Sequence, residues 1–234
     1  MEPVRQVSGT AAPLALANID TDQILPARYL KRPRDARYPT YAFHDLRFDE
    51  RGSPRPDFVL NDPRFASAQI LVADRNFGVG SSREGAVYAL AAIGIRCVIA
   101  ESFGDIFFSN ALKNFLLPVK LPAGVVAELR GLAGEGVPFT IDLEAEVVRA
   151  GNKVFAFRIP PFARTCMLEG LDECAAHNPN VKVSLEFKPK EPRTHIMINS
   201  AAKALLCVNM INRPNLGINL DVGHANMGYE TLAE

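Results

Sequence analysis

Between residues 69 and 134 the apolar positions alternate between short unbroken runs and longer stretches with helical spacing. QILVAD (69–74), RCVIA (96–100) and LLPVKL (116–121) are runs of the kind that form strands buried on both faces. EGAVYALAAIG (84–94), ending at Gly94, and FGDIFFSNALKN (103–114) lie between them and are patterned as helices. Ala123 to Gly134 predicts another helix after Pro122. Strands alternating with helices at this spacing predict an α/β layer with parallel pairing. FTIDLEAEVVRAGNKVFAFRI (139–159) predicts a β-hairpin turning at Ala150-Gly151-Asn152. PFARTCMLEGLDECAAH (161–177) predicts a last helix with Pro161 in its first turn.

Two regions break this rhythm. From about Pro13 to Leu60 the chain is irregular and rich in Pro, Arg and Asp. It carries a basic stretch of Arg28, Lys31, Arg32, Arg34 and Arg37 against one acid, Asp35. Such a run is a solvated face or a loop that meets an anionic substrate or an acidic partner. The second break is at HNPN (177–180), where the composition shifts. VKVSLEF (181–187) then predicts a strand, INSAAKALLCVNMI (198–211) a helix and LGINLDVGH (216–224) another strand, together a β-α-β fragment. Two strands and one helix cannot cover both faces of a parallel sheet, so this tail needs something to pack on.

Composition narrows the function. At 48% hydrophobic and 22% charged residues the 234-residue chain resembles an ordinary globular protein with ample material for a core. Lys plus Arg number 26 and Asp plus Glu 26, so nucleic-acid binding has no electrostatic footprint. The apolar run from Ala86 to Ala100 is interrupted by Arg96 and is too short to cross a bilayer. MEPVRQVSGT at the N-terminus has no apolar core of the signal-peptide kind. A cytoplasmic protein with no membrane or nucleic-acid partner is expected. The four cysteines (97, 166, 174, 207) form no C-x-x-C pair, which argues against a zinc site, a cluster or a disulfide scaffold and for small buried apolar residues.

The strongest chemical signal is NFGVGSSREGA (76–86), between a predicted strand and a predicted helix. Its glycines let backbone approach a ligand closely, and the new helix offers free N–H groups that favour an anion. Ser81, Ser82 and Arg83 bring hydroxyls and a guanidinium to one point, and the guanidinium fork suits a carboxylate. An N-cap serine beside a solvent-facing Arg83 would give the same pattern. The turn lacks the Gly-Lys-Ser/Thr of a phosphate loop and the G-x-S-x-G of a nucleophile elbow.

ANIDTDQILPARYLKR, NFGVGSSRE, RCVIAESFGDIFF and LKNFLLPV, in that order, resemble the small subunits of 3-isopropylmalate dehydratase, the swivelling-domain subunits of the aconitase superfamily. The likeness runs from about Ala12 to Ala176, within a first domain taken as 1–178. It implies a β/β/α swivelling fold that binds no cofactor itself and pairs with a large subunit carrying a [4Fe-4S] cluster. The activity implied is a hydro-lyase reaction on a hydroxy-dicarboxylate: the interconversion of 2- and 3-isopropylmalate by removing and re-adding water, in leucine biosynthesis. By the resemblance Ser81 is the catalytic base, and Ser82 and Arg83 hold a substrate carboxylate. Lys31, in YLKR, lies in the loop that recognises the substrate side chain, and Asp20, Thr21 and Asp22 line the same cleft. The chain departs from the family at Val79 and Gly85, where the turn usually reads G-C-G-S-S-R-E-H. It also departs at Glu101, where A-P-S-F is usual, and at Ser109-Asn110 and Phe115, where an asparagine pair and a glycine are expected. A related hydro-lyase acting on another hydroxy-dicarboxylate is the alternative.

Within the tail, taken as 179–234, residues 180–234 resemble strand regions of xylose-isomerase-like TIM-barrel sugar isomerases and epimerases through VKVSLEFKPKEPRTH and PNLGINLDVGHANMGYE. This likeness implies Glu186 and Asp221 as divalent-metal ligands and His224 as a substrate contact. Most of the barrel is missing, so the expectation is a fused fragment whose carboxylates hold metal weakly at best. The competing function classes are thus a partner-dependent lyase, a metal-dependent sugar isomerase and a non-catalytic interaction module.

Overall fold

Residues that alternate along four parallel strands face opposite ways and so build two cores. The computed structural model describes residues 2–81, 83–171, 183–186, 205 and 216–219. The chain divides into two units, Met1–Gly170 and Leu171–Glu234.

In the first unit β1 (Gln6–Gly9) and β2 (Ala11–Pro13) lead into an irregular segment holding two single-turn helices, α1 (Thr21–Ile24) and α2 (His44–Arg47). There follow β3 (Ile70–Val72), α3 (Glu84–Ala92), β4 (Cys97–Ala100), α4 (Asp105–Lys113), β5 (Leu117–Lys120) and α5 (Ala123–Gly134). The order β2-β3-β4-β5 is parallel throughout, as the strand–helix alternation predicts. Leu71, Ala73, Val98 and Ala100 face a core shared with α3 residues Ala86, Val87 and Leu90. Ile70, Val72, Cys97 and Ile99 face a second core with Val126 and Leu129 of α5 and with the other sheet. That sheet is antiparallel, in the order β1-β6-β7-β8, with β6 (Phe139–Asp142), β7 (Val147–Ala150) and β8 (Lys153–Ala156). The expected α/β class holds.

Several local expectations need correction. Residues 139–159 form a three-stranded meander rather than one hairpin. Beyond the turn at Gly151, the chain also reverses between β6 and β7, where Glu146 adopts φ +53°. The last helix, α6 (Pro161–Glu169), starts with Pro161 as expected but stops early, because Gly170 at φ +70° caps it in the left-handed conformation. Residues 172–177 of its predicted span lie outside the described residues. Cys97 and Cys166 are buried, and burial pushes the Cys97 thiol far above its ordinary range, so it serves as a small apolar residue. Cys174 and Cys207 lie outside the described residues.

Phe115 follows α4 at φ +60° and packs in neither core. The Leu116 N–H closes on the Ala111 carbonyl at 3.0 Å, a helix stop that favours glycine. A side chain in this backbone region costs about 1–2 kcal/mol. Phe115→Gly is therefore expected to stabilise the protein by roughly 0.5–1 kcal/mol, read as a Tm rise of about 2 °C in calorimetry. A fall in Tm would show that the ring holds the fold in a way its position does not suggest.

In the second unit β9 (Val183–Glu186) pairs in parallel with β10 (Leu216–Asn219), Glu186 opposite Asn219, as the two tail strands predict. The helix expected between them lies outside the described residues apart from helical Leu205, and so do Asp221 and His224. Among the described residues no helix is long and apolar enough to cross a membrane.

Candidate active site

The glycine–serine turn is held as an extra strand beyond the carboxyl end of β3. Asp74 lies two residues past the end of the strand. Its carboxylate accepts the Arg75 N–H at 2.8 Å and pairs with Arg130 of α5 at 2.9 Å, and these contacts hold it below the usual carboxylate range. Pairing then breaks and resumes at Phe77 to Val79, wedged between the segments that follow β2 and β4. On one side Gly78 N–H donates to Ile19 O at 2.7 Å and Thr21 N–H to Val79 O at 2.9 Å. On the other, Phe77 N–H donates to Ser102 O and Gly104 N–H to Phe77 O, both at 2.9 Å. Gly78 takes φ +73°, and a Cβ there would meet the Phe107 ring at 2.2 Å. Only glycine lets the turn lie flat on α4.

From this base the chain rises to Gly80 and Ser81, both exposed, and enters α3 with Arg83 at the N-cap. The Ser81 carbonyl accepts a 3.1 Å hydrogen bond from Thr21 Oγ1, and Thr21 is 2% exposed. Asp20 caps α1: its carboxylate accepts the Gln23 N–H at 2.7 Å, and its own N–H donates to Gln23 Oε1 at 2.9 Å. Asp22 forms an ion pair with Arg83, whose side chain is 18% exposed against 51% for Asp22. Of the residues singled out in the sequence, Thr21 with Ser81 and Asp22 with Arg83 are thus in contact, while Asp20 shapes the backbone between them. Ser82 lies outside the described residues.

Lys31 is exposed on the loop after Leu30. Leu30 itself reaches α3, because a Cβ at Gly85 would lie 3.4 Å from Leu30 Cδ2 and 2.9 Å from Leu25 Cδ2. Gly85 therefore lets this loop pack directly on the first turn of the site helix. Part of the basic stretch is engaged locally: Arg28 pairs with Asp45, holding that carboxyl below its usual range, and Arg34 lies 3.8 Å over the Tyr88 ring.

Sequence reasoning missed two side-chain links. Asn114 Nδ2 donates to Glu84 Oε1 at 2.9 Å, tying the end of α4 to the first turn of α3. Asn76 joins Asn18 and Ser102 beneath the turn. These residues lie inside the quoted motifs, and their polarity beside glycine-rich turns was the available signal. Among the described residues no group of three or more His, Cys, Asp or Glu can hold a metal ion. The arrangement places exposed Ser81 two residues before Arg83 at the start of α3, and a guanidinium and a helix N-terminus both favour a bound carboxylate.

The fold and this turn define an aconitase-type swivelling domain, and residues 1–124 match the family model of the aconitase C-terminal domain. Over 176 residues the chain is 48% identical to the 3-isopropylmalate dehydratase small subunit of Rhodospirillum centenum, a match covering 74% of this chain and 87% of that protein. The crystal structure of 3-isopropylmalate dehydratase from Methanocaldococcus jannaschii superposes with a TM-score of 0.53 at 30% identity, covering 71% of this chain and 90% of that one. The chain belongs to the aconitase C-terminal domain family, in its branch of 3-isopropylmalate dehydratase small subunits.

Proposed function

We propose that this chain is the small subunit of a 3-isopropylmalate dehydratase, active as a hydro-lyase only with a cluster-bearing large subunit. Exposed Ser81, at the end of a turn clamped by Thr21 and flanked by the Arg83–Asp22 pair, is the observation that carries the reading. Ser81 acts as base toward the C–H next to a substrate carboxylate. A serine hydroxyl is a poor base, so its alkoxide needs the positive end of α3 and the Arg83 charge beside it. Arg83 takes the carboxylate by exchanging it for that of Asp22, which is half exposed and open to competition from an incoming anion. Ser82 assists in that contact, and Asp20 and Thr21 fix the wall opposite. Lys31, on the exposed loop, meets the distal part of the substrate.

The [4Fe-4S] cluster belongs to the partner large subunit, and when bound it supplies a Lewis acid for the departing hydroxyl. The working place is the cytoplasm. We assign residues 1–178 to this domain and 179–234 to an appendage whose carboxylates, Glu186 and Asp221, take no part in the reaction.

The test is an anaerobic assay of the full chain mixed with a cluster-loaded 3-isopropylmalate dehydratase large subunit, following isopropylmaleate by its ultraviolet absorbance. Turnover that needs both chains is expected. A stable complex that turns over only another hydroxy-dicarboxylate would favour the related hydro-lyase, with Gly85 as the departure to blame. A stable complex with no turnover on any such acid would leave a binding module.

A further inference from the structure

We propose that Asn76 is a positioning residue for Ser81, acting as a polar clasp that sets the height of the catalytic turn; the inference rests on the dehydratase reading given above. Around β3 the regular strand pairing ends at Val72 and resumes at Phe77, and between them single main-chain bonds, among them Ala73 N–H to Ile99 O at 2.8 Å, hold the segment. Asn76 sits at that gap with φ +57°, and Asn18, on the neighbouring segment, has the same value. The Asn76 amide spans the gap in both directions. Its Nδ2 donates to Asn18 Oδ1 at 2.8 Å, and its Oδ1 accepts from Ser102 Oγ at 3.0 Å. The Asn76 N–H donates to the same Ser102 Oγ at 2.8 Å, and the Asn18 N–H donates to Arg75 O at 2.9 Å.

One side chain thereby bridges three loops that leave adjacent strands, adding side-chain rungs where the main-chain bonds are sparse. Both amide oxygens act as acceptors, which assigns the orientation of the two amides. The turn begins at the next residue, so a change in the clasp is passed to Ser81 through only Phe77 to Gly80. Asn76 does not touch the reacting atoms. Its effect is geometric, and near-attack geometry is steep: a misplacement of about 1 Å costs on the order of 100-fold in rate.

Asn76→Gly keeps the left-handed backbone and removes the clasp. Asn76→Asp keeps the acceptor for Ser102, and an amide flip of Asn18 restores the other bond, so it is the rescuing variant. Hydrogen exchange on the full chain alone is the first readout. In Asn76→Gly the Phe77 and Gly78 amides, which donate to Ser102 O and Ile19 O, should exchange at least tenfold faster, the rest of the sheet should be unchanged, and Asn76→Asp should match the wild type. Exchange at Phe77 and Gly78 that stays the same, or rises together with the whole sheet, overturns the proposal. In complex with the large subunit, kcat of Asn76→Gly should fall roughly 10- to 100-fold with KM within about threefold, and Asn76→Asp should recover it. A loss confined to KM, or one that Asn76→Asp does not rescue, also overturns it. A wild-type complex without turnover defeats the dehydratase reading, and the exchange experiment then decides the clasp on its own.

Discussion

Ser81→Ala is expected to lower the kcat of the assembled dehydratase by roughly 10²–10⁴-fold, the range removed when a positioned proton-transfer group is lost. The fold should not notice the change. The hydrogen bond that ties residue 81 to the protein uses its carbonyl, which accepts from Thr21 Oγ1, and alanine keeps that carbonyl. Ser81 is exposed, so no cavity opens, and stability should stay within about 0.5 kcal/mol of the wild type. Steady-state turnover, thermal unfolding and a binding titration with the large subunit separate these effects. A large loss of kcat at constant Tm and constant subunit affinity is the expected pattern. Turnover close to wild type would remove Ser81 from the chemistry and reduce its turn to a cap for α3.

The sheet, the helices and the site were legible in the sequence to very different degrees. ILV and CVIA are apolar on both faces and so read as buried strands, and α3 and α5 were readable from their alanines, Gly94 and Pro122. β1 and β2 escaped because QVSG and AAP carry no unbroken run of large apolar residues. What makes Ala11–Pro13 a strand is its pairing with Ile70–Val72, a partner far along the chain. The reversal at Leu143–Glu146 escaped because it contains no Gly, Pro or Asn. A glutamate takes the left-handed backbone there and is held by its own carboxylate, which accepts the Ile159 N–H at 3.0 Å. The same division runs through the site. Motif order picked out Ser81, Arg83 and the DTD segment, but no local rule pairs Arg83 with an aspartate 61 residues earlier. Nor could it show that Asn18, Asn76 and Ser102 close one circuit, since each lies on a different loop.

The same geometry makes Gly78 highly sensitive to a single methyl group. Gly78→Ala is expected to destabilise the protein by about 2–5 kcal/mol, a large part of the roughly 5–15 kcal/mol that holds a domain together. Two costs add. A side chain at φ +73° costs about 1–2 kcal/mol, and forcing a methyl into a filled core costs about 1–3 kcal/mol more. The second cost is unavoidable because the new Cβ would stand 2.2 Å from Cγ of Phe107, which is 1% exposed and set edge-on against Phe77 at 5.3 Å. Gly52→Ala separates the two costs. Gly52 has a similar φ of +80° with nothing within 4 Å of its would-be Cβ, so its substitution should cost only about 1 kcal/mol. Denaturant unfolding of both variants measures the difference, and equal losses would show that α4 moves aside at no cost. Adding Phe107→Ala to Gly78→Ala removes the ring that the methyl strikes, so the double variant should be more stable than the sum of the two singles predicts. Strict additivity would mean that Gly78 is required for its backbone conformation alone, and that the flat packing of the catalytic turn on α4 is incidental.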